Sequence, residues 1–171
     1  MELLVIRHAI AEDRATFAAT GQDDEQRPLT AEGRRRMVLA ARGLRSLVNS
    51  LDLIASSPLT RARQTAEIVA DAFGAMPVET SVALMPGRPA KDVVEWLRHH
   101  AELERVAIVG HEPDLSDLVS ILLLDEGTSF FVFKKGGACL LDFAGRIEPG
   151  DATLRWLLRP KQLRALGAER G

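Results

Sequence analysis

Leu3-Leu4-Val5-Ile6-Arg7-His8 sets four aliphatic residues in a row and ends them with an arginine and a histidine. A strand with one wet face alternates apolar and polar residues; a strand apolar at every position is covered on both faces, as in a parallel sheet between helices. Val106 to Val109 repeats the pattern and runs into Gly110-His111-Glu112-Pro113. Asp52 to Ser56, with Leu53-Ile54-Ala55 at its centre, is a third short run and precedes Ser57-Pro58.

Helices are expected between these runs. Thr30 is placed to cap one, with Glu32 in its first turn and Met37, Ala41, Leu44 and Val48 at helical spacing. Ser57-Pro58 reads as an N-cap and first-turn proline, opening a helix with Ala62, Ala66, Val69 and Phe73 on one face. Met76 to Thr80 is extended, Pro86 to Pro89 a loop, and Ala90 to His100 and Leu115 to Leu124 helical. Ala138 to Phe143 and Thr153 to Leu158 read as two late strands that add antiparallel pairings. The expected fold is α/β: a three-layer α/β/α sandwich with a mostly parallel central sheet. One domain spans residues 1–160, and residues 161–171 form a short amphipathic C-terminal tail.

Size and composition agree. At about 150 residues per domain, 171 residues make one domain, able to bury roughly 70% of its unfolded surface. Apolar residues are 46% and charged residues 27%, so the chain is not of the disordered class. A net charge of −2 argues against a generally basic nucleic-acid binder and a polybasic membrane binder. The single Cys139 excludes an intramolecular disulfide framework and a cysteine-rich zinc site. Without a membrane-length apolar run or a basic leader before the first strand, the expectation is a cytoplasmic protein.

The chemistry converges on one rim. Arg7-His8 and His111 follow strands, and Arg61 lies early in the helix after the second strand. In a parallel α/β sheet the carboxyl ends of the strands line the edge where ligands bind. Two arginines can grip phosphate oxygens with forked, permanently charged donors. One histidine with an unprotonated ring nitrogen can attack phosphorus and carry the phosphoryl group, and a second can donate a hydrogen bond. Phosphoryl transfer demands mainly positioning and charge stabilisation. Singly, each is an ordinary strand-end or helix-surface residue; the combination is not.

Four ordered segments, Leu4-Val5-Ile6-Arg7-His8-Ala9, Arg27-Pro28-Leu29-Thr30-x-x-Gly33, Ser56-Ser57-Pro58-Leu59-Thr60-Arg61-Ala62-x-Gln64-Thr65-Ala66 and Val109-Gly110-His111-Glu112-Pro113, resemble the histidine phosphatase superfamily. Short length and the Arg27 motif are most similar to its SixA-type phosphohistidine phosphatase branch. The resemblance implies a phosphoglycerate-mutase-like fold and a phosphatase that works without metal or organic cofactor. It aligns His8 with the nucleophile that becomes phosphohistidine, and Arg7, Arg61 and His111 with the residues that bind the phosphoryl group. Ser57, Glu12, Glu112 and Arg27 are secondary candidates for binding phosphate or substrate. The implied partner is a phosphohistidine-bearing protein. A small phosphoester is the second reading, and a non-catalytic phosphate-binding module on the same scaffold the third.

One departure bears on the substrate. Mutase-like members carry an acidic proton donor in mid-chain; the corresponding Leu84-Met85-Pro86-Gly87-Arg88-Pro89 has no acid, and their large lid insertion has no room here. Alkoxide leaving groups benefit from a general acid, whereas a phosphorylated imidazole can leave with its second nitrogen already protonated. Glu12, Asp13 and Glu112 are the remaining candidate donors. Outside these motifs, His99-His100 reads as a solvated helix end and Cys139 as inert. Arg34-Arg35-Arg36 is read as a solvated face that could dock an acidic partner, and Lys134-Lys135-Gly136-Gly137 as a turn that could edge the pocket.

Overall fold

A computed structural model describes residues 1–125 and 127–168. It runs β1 (Glu2–Arg7), α1 (Arg14–Ala18), α2 (Ala31–Leu47), β2 (Leu53–Ser56), α3 (Thr60–Ala72), β3 (Val78–Thr80), α4 (Ala90–Arg98), β4 (Arg105–Gly110), α5 (Asp114–Leu124), β5 (Ala138–Phe143), β6 (Ala152–Leu158) and α6 (Pro160–Ala168). The six strands form one sheet in the order β3-β2-β4-β1-β5-β6. β3, β2, β4 and β1 pair in parallel; β5 runs antiparallel to β1 and β6 antiparallel to β5.

The unbroken aliphatic runs have the expected cause. Leu4 and Ile6 face a core that includes Met37, Leu44, Ala66 and Val69 of α2 and α3, while Leu3 and Val5 face Val94, Leu97, Leu118 and Val119 of α4 and α5. Successive residues of one strand thus enter opposite cores, giving helix, sheet and helix layers. No helix among the described residues is long and apolar enough to cross a membrane.

Two close approaches fix the α2 layer. A Cβ on Gly33 would stand 2.1 Å from the Ile10 carbonyl oxygen, so the chain leaving β1 crosses α2 only where there is no side chain. Thr30 caps the same turn, accepting from the Gly33 N–H at 2.8 Å. Cβ atoms on Gly43 and Gly167 would lie 2.0 Å from the carbonyls of Leu163 and Leu39. The expected tail is therefore, over Pro160–Ala168, a helix seated backbone-to-backbone on α2 with Leu163 fully buried, and residues 169–171 lie outside the described residues.

The polar stretch Glu12 to Arg27 holds α1 and a 3-10 turn at Asp24–Gln26. The helix after β2 begins at Thr60, two residues later than the Ser57-Pro58 signal suggested, with Leu59 extended at its cap. Ser57 accordingly serves a different purpose.

Candidate active site

Strand register assembles the rim. Arg7 stands opposite Gly110 and Ser56 opposite Val109, so the residues that follow, His8, His111 and Ser57, emerge side by side. The His8 N–H donates to the Gly110 carbonyl at 3.1 Å and the Ser57 N–H to the Val109 carbonyl at 3.0 Å. The sheet reaches across strand ends that are far apart in sequence and brings Arg7, His8, Arg61 and His111 to one open cavity of about 500 Å³.

His8 is 6% exposed, and its Nδ1–H donates to the Ala9 carbonyl at 2.8 Å. That bond selects the tautomer in which Nε2 carries the lone pair. Burial, aided by the charges of Arg61, Arg7 and Lys135, lowers the His8 pKa to about 3, so the ring is neutral at ordinary pH. The Ala9 peptide is fixed in turn: its N–H donates to Thr65 Oγ1 at 3.0 Å, and Thr65 donates to the Arg61 carbonyl at 2.7 Å. Thr65 therefore couples the α3 helix that carries Arg61 to the loop that orients His8.

His111 is also buried, and its Nε2 shares a 2.9 Å hydrogen bond with Ser57 Oγ. Burial and the neighbouring His8, Arg61 and Arg7 lower its pKa to about 3. Ser57, expected as a helix cap and a candidate phosphate contact, lies behind this ring and does not line the cavity. Its hydroxyl also accepts from the Leu59 N–H at 3.3 Å.

The two guanidinium groups are held at one end and open at the other. Arg61 donates from Nη1 to the Asp24 carbonyl at 2.9 Å, and its Nη2 pairs with Asp24 Oδ2 at 3.2 Å. Arg7 donates from Nη1 to the Phe133 carbonyl. Nε of each is buried without a hydrogen-bond partner among the described residues. Leaving a buried charged donor unpaired is costly, by about 1–3 kcal/mol or more. An oxyanion facing both forks relieves that cost, and a neutral ligand does so less well. Desolvation lowers the pKa of each arginine without discharging a group that titrates so high.

The secondary candidates separate by role. Arg27 lines the cavity, donating to Asp24 Oδ1 at 2.7 Å and to the Glu12 carbonyl at 2.8 Å, which braces the wall beside Arg61. Asp24 thus holds both arginines; the sequence reading missed it, although its i,i+3 spacing to Arg27 was a usable signal. Glu12 and Asp13 line the rim, but Asp13 accepts from the Thr16 N–H as the α1 cap and its carboxyl is pulled below the usual range. Glu112 accepts from the Phe133 N–H at 2.7 Å and from Ser116 at 2.6 Å; burial pushes its pKa up. Pro86 alone of the acid-free segment lines the cavity, and the Gly87 N–H is tied to Asp114 at 3.0 Å. Lys135 also lines it, and the Gly136 N–H reaches the carbonyls of Arg7 and His8 at 3.1 Å, so the 134–137 segment is both turn and pocket edge.

The family model of the histidine phosphatase superfamily (branch 1) matches residues 3–85. An uncharacterized protein of Picosynechococcus sp. PCC 7002 is 36% identical over 167 residues, covering 95% of this chain and 99% of that one. The chain belongs to the histidine phosphatase superfamily. The protein histidine phosphatase SixA, solved with tungstate, superposes with a TM-score of 0.79 at 26% identity, over 95% of this chain and 99% of that one. This histidine phosphatase is of the SixA type and is a phosphatase by family. The alpha-ribazole phosphatase of Shigella flexneri shares the fold, with a TM-score of 0.69 at 21% identity over 94% and 97% of the two chains.

Proposed function

We propose that this phosphatase removes phosphate from phosphohistidine on a partner protein, through a phosphoryl group carried on His8 and without a metal ion. The observation that carries the reading is the His8 Nδ1–H bond to Ala9, which leaves Nε2 as the one nucleophilic nitrogen of a neutral, buried ring. In the first step Nε2 attacks phosphorus while the P–N bond to the substrate imidazole breaks. That imidazole leaves neutral when its other nitrogen already bears a proton, so the site need not supply one. In the second step water attacks the phosphoryl group, the P–N bond to His8 breaks, and the water proton passes to the phosphate or to solvent. Because Ala9 keeps Nδ1 protonated, His8 also departs as a neutral imidazole.

Arg7 and Arg61 take the equatorial oxygens, where each donor aimed at developing charge is worth about 2.7–4 kcal/mol. The dianion offsets the burial and the positive field that keep His111 neutral, and the protonated ring donates to the phosphoryl group. The acid-free wall at Pro86 and the openness of the cavity favour a phosphoramidate on a macromolecule. The shared fold of a small-molecule phosphatase, and the raised pKa of Glu112, favour the second reading, a small phosphoester.

Two measurements decide between them. A brief pulse of labelled phosphohistidine protein is expected to leave acid-labile, base-stable label on the wild type and none on His8→Ala; equal labelling removes His8 from the mechanism. A matched screen of phosphohistidine protein, phosphoserine peptide and small phosphoesters is expected to rank the first highest in kcat/KM. A phosphoester ranked first overturns the substrate assignment while leaving the phosphatase reading standing.

A further inference from the structure

Behind the active-site cavity lies a second one of about 290 Å³, between α2, the 134–136 turn and the start of α6. Arg36, Lys134, Lys135, Arg159, Lys161 and Arg164 line it, and no carboxylate among the described residues does. Half-buried Ile10 and Pro160 give it an apolar floor, with the buried Met37 and Ala40 beneath. The chain as a whole carries a net charge of −2, so this single-sign cluster is local and not a reflection of a basic protein. Among the described residues only Arg36 of the six is in an ion pair, at 2.6 Å from Glu32. The glycine contacts that seat α6 on α2 hold the two walls at a fixed separation.

The cavity adjoins the candidate active site. Lys135 lines both cavities, and Ala9, which fixes the His8 tautomer, lines this one. A protein partner needs roughly 800 Å² of contact on each side of a stable interface, far more than one phosphorylated side chain supplies. This cleft, next to the active-site cavity, offers both apolar area and a concentration of positive charge.

We propose that the cleft seats an acidic segment of the phosphoprotein substrate. An apolar side chain of that segment rests on Ile10 and Pro160, its flanking carboxylates meet the cationic rim, and the phosphorylated residue reaches His8. The assignment rests on the protein-substrate reading above and adds a partner chemistry to it. The cations at the rim steer an acidic partner and set specificity, and their effect fades as salt screens them.

The test uses the full chain and two fluorescein-labelled, unphosphorylated peptides: one of alternating glutamate and leucine, the other with glutamine for every glutamate. Anisotropy is expected to show the acidic peptide binding about tenfold more tightly at low salt, with the preference shrinking as salt rises. Lys161→Glu/Arg164→Glu, two substitutions outside the active-site cavity, is expected to lose about tenfold in that binding while aryl phosphate turnover is unchanged, which also shows that the variant is folded. Equal binding of the two peptides overturns the proposal, as does acidic-peptide binding that survives the double substitution. Displacement of the peptide by tungstate at a concentration that inhibits turnover also overturns it, because the peptide then occupies the active-site cavity. Displacement of the acidic peptide by ATP at concentrations well below the peptide's own dissociation constant overturns it in favour of a small anionic ligand. Failure of the phosphohistidine reading is distinct: phosphohistidine protein is not turned over although the peptide still binds.

Discussion

The rings of His8 and His111 lie 5.1 Å apart, tilted by 53°, with the pKa of each lowered to about 3. Two imidazoles so close, flanked by Arg7 and Arg61, cannot both be charged without a counter-anion.

That arrangement makes the empty protein acid-sensitive. Each pKa lies below its unfolded value of about 6.5, so the unfolded chain binds more protons than the folded one between about pH 6.5 and 3. Stability is therefore fully present above pH 6.5 and lost as pH falls toward 3. By pH 4 the penalty is about 3 kcal/mol for each ring. Urea midpoints at pH 7.5 and 4.5 are expected to differ less for His8→Asn/His111→Asn than for the wild type. Identical pH dependence in the two proteins would show that the histidines titrate normally.

Anion binding should reverse the effect at His111. Tungstate, like phosphate an oxyanion, has no titration of its own near neutral pH, so proton uptake on binding reports on the protein. Calorimetry at pH 7 in two buffers of different ionisation enthalpy is expected to show uptake of about one proton. His111→Asn should abolish most of it; no uptake in the wild type would mean that His111 stays neutral beneath the anion.

Asp24 is a positioning residue for Arg61. Asp24→Asn keeps a carbonyl oxygen for one guanidinium contact but removes the charge that Arg61 and Arg27 share. A loss of about tenfold in aryl phosphate kcat/KM is expected, in proportion to a weakened charge-assisted bond. Arg61→Lys keeps the charge and loses the planar fork, at an expected cost of about 2–4 kcal/mol in transition-state stabilisation. If both variants match the wild type, the Asp24–Arg61 pair is structural only.

Gly33→Ala tests whether the Arg27-to-Gly33 motif is structural. Its Cβ would meet the Ile10 carbonyl at 2.1 Å, and that oxygen also accepts from the Thr30 N–H at 3.0 Å, so neither side can yield freely. Overpacking of this kind costs about 1–3 kcal/mol, more than the gain an alanine brings to a helix interior. A thermal midpoint at or above the wild type would remove the close approach from the account.

The parts of this molecule legible in sequence are those that depend on burial pattern. β1 and β4 announce themselves because four successive residues of each face a core, and Arg7, His8 and His111 follow from their position at the strand ends. Asp24 was legible only as a neighbour of Arg27 three residues on: Glu12, Asp13, Asp23, Asp24 and Glu25 crowd one polar stretch, and the tertiary fold selects the acid that reaches Arg61. Phe133 was hidden for the same reason, since it holds Arg7 through a backbone carbonyl that any residue would provide. Ser57 misled because an N-cap and a histidine partner look alike in one dimension. Gly43 and Gly167 have no side chain to form a pattern, and their purpose lies in the contact between the two helices.

The leaving group provides the sharpest test of the substrate assignment. The segment 84–89 contains no acid, and it touches the cavity through Pro86. Asp13, committed to its cap with a lowered pKa, is a poor proton donor near neutrality. Glu112 is the lining carboxyl whose pKa is raised, yet both its oxygens are occupied, by the Phe133 N–H and the Ser116 hydroxyl. Without an effective donor the rate must depend steeply on how well the leaving group departs unaided. Phosphoramidates and aryl phosphates of acidic phenols are then expected to turn over far faster than alkyl phosphates, where a general acid would have levelled them by about 10²–10⁴-fold. Single-turnover rates across a series of leaving-group pKa values measure the slope with product release removed. Glu112→Gln keeps the oxygen that accepts from Phe133 and removes the proton, so it is expected to leave that slope unchanged. A flat dependence in the wild type that steepens in Glu112→Gln would assign the proton to Glu112 and move the favoured substrate from phosphohistidine to a phosphoester.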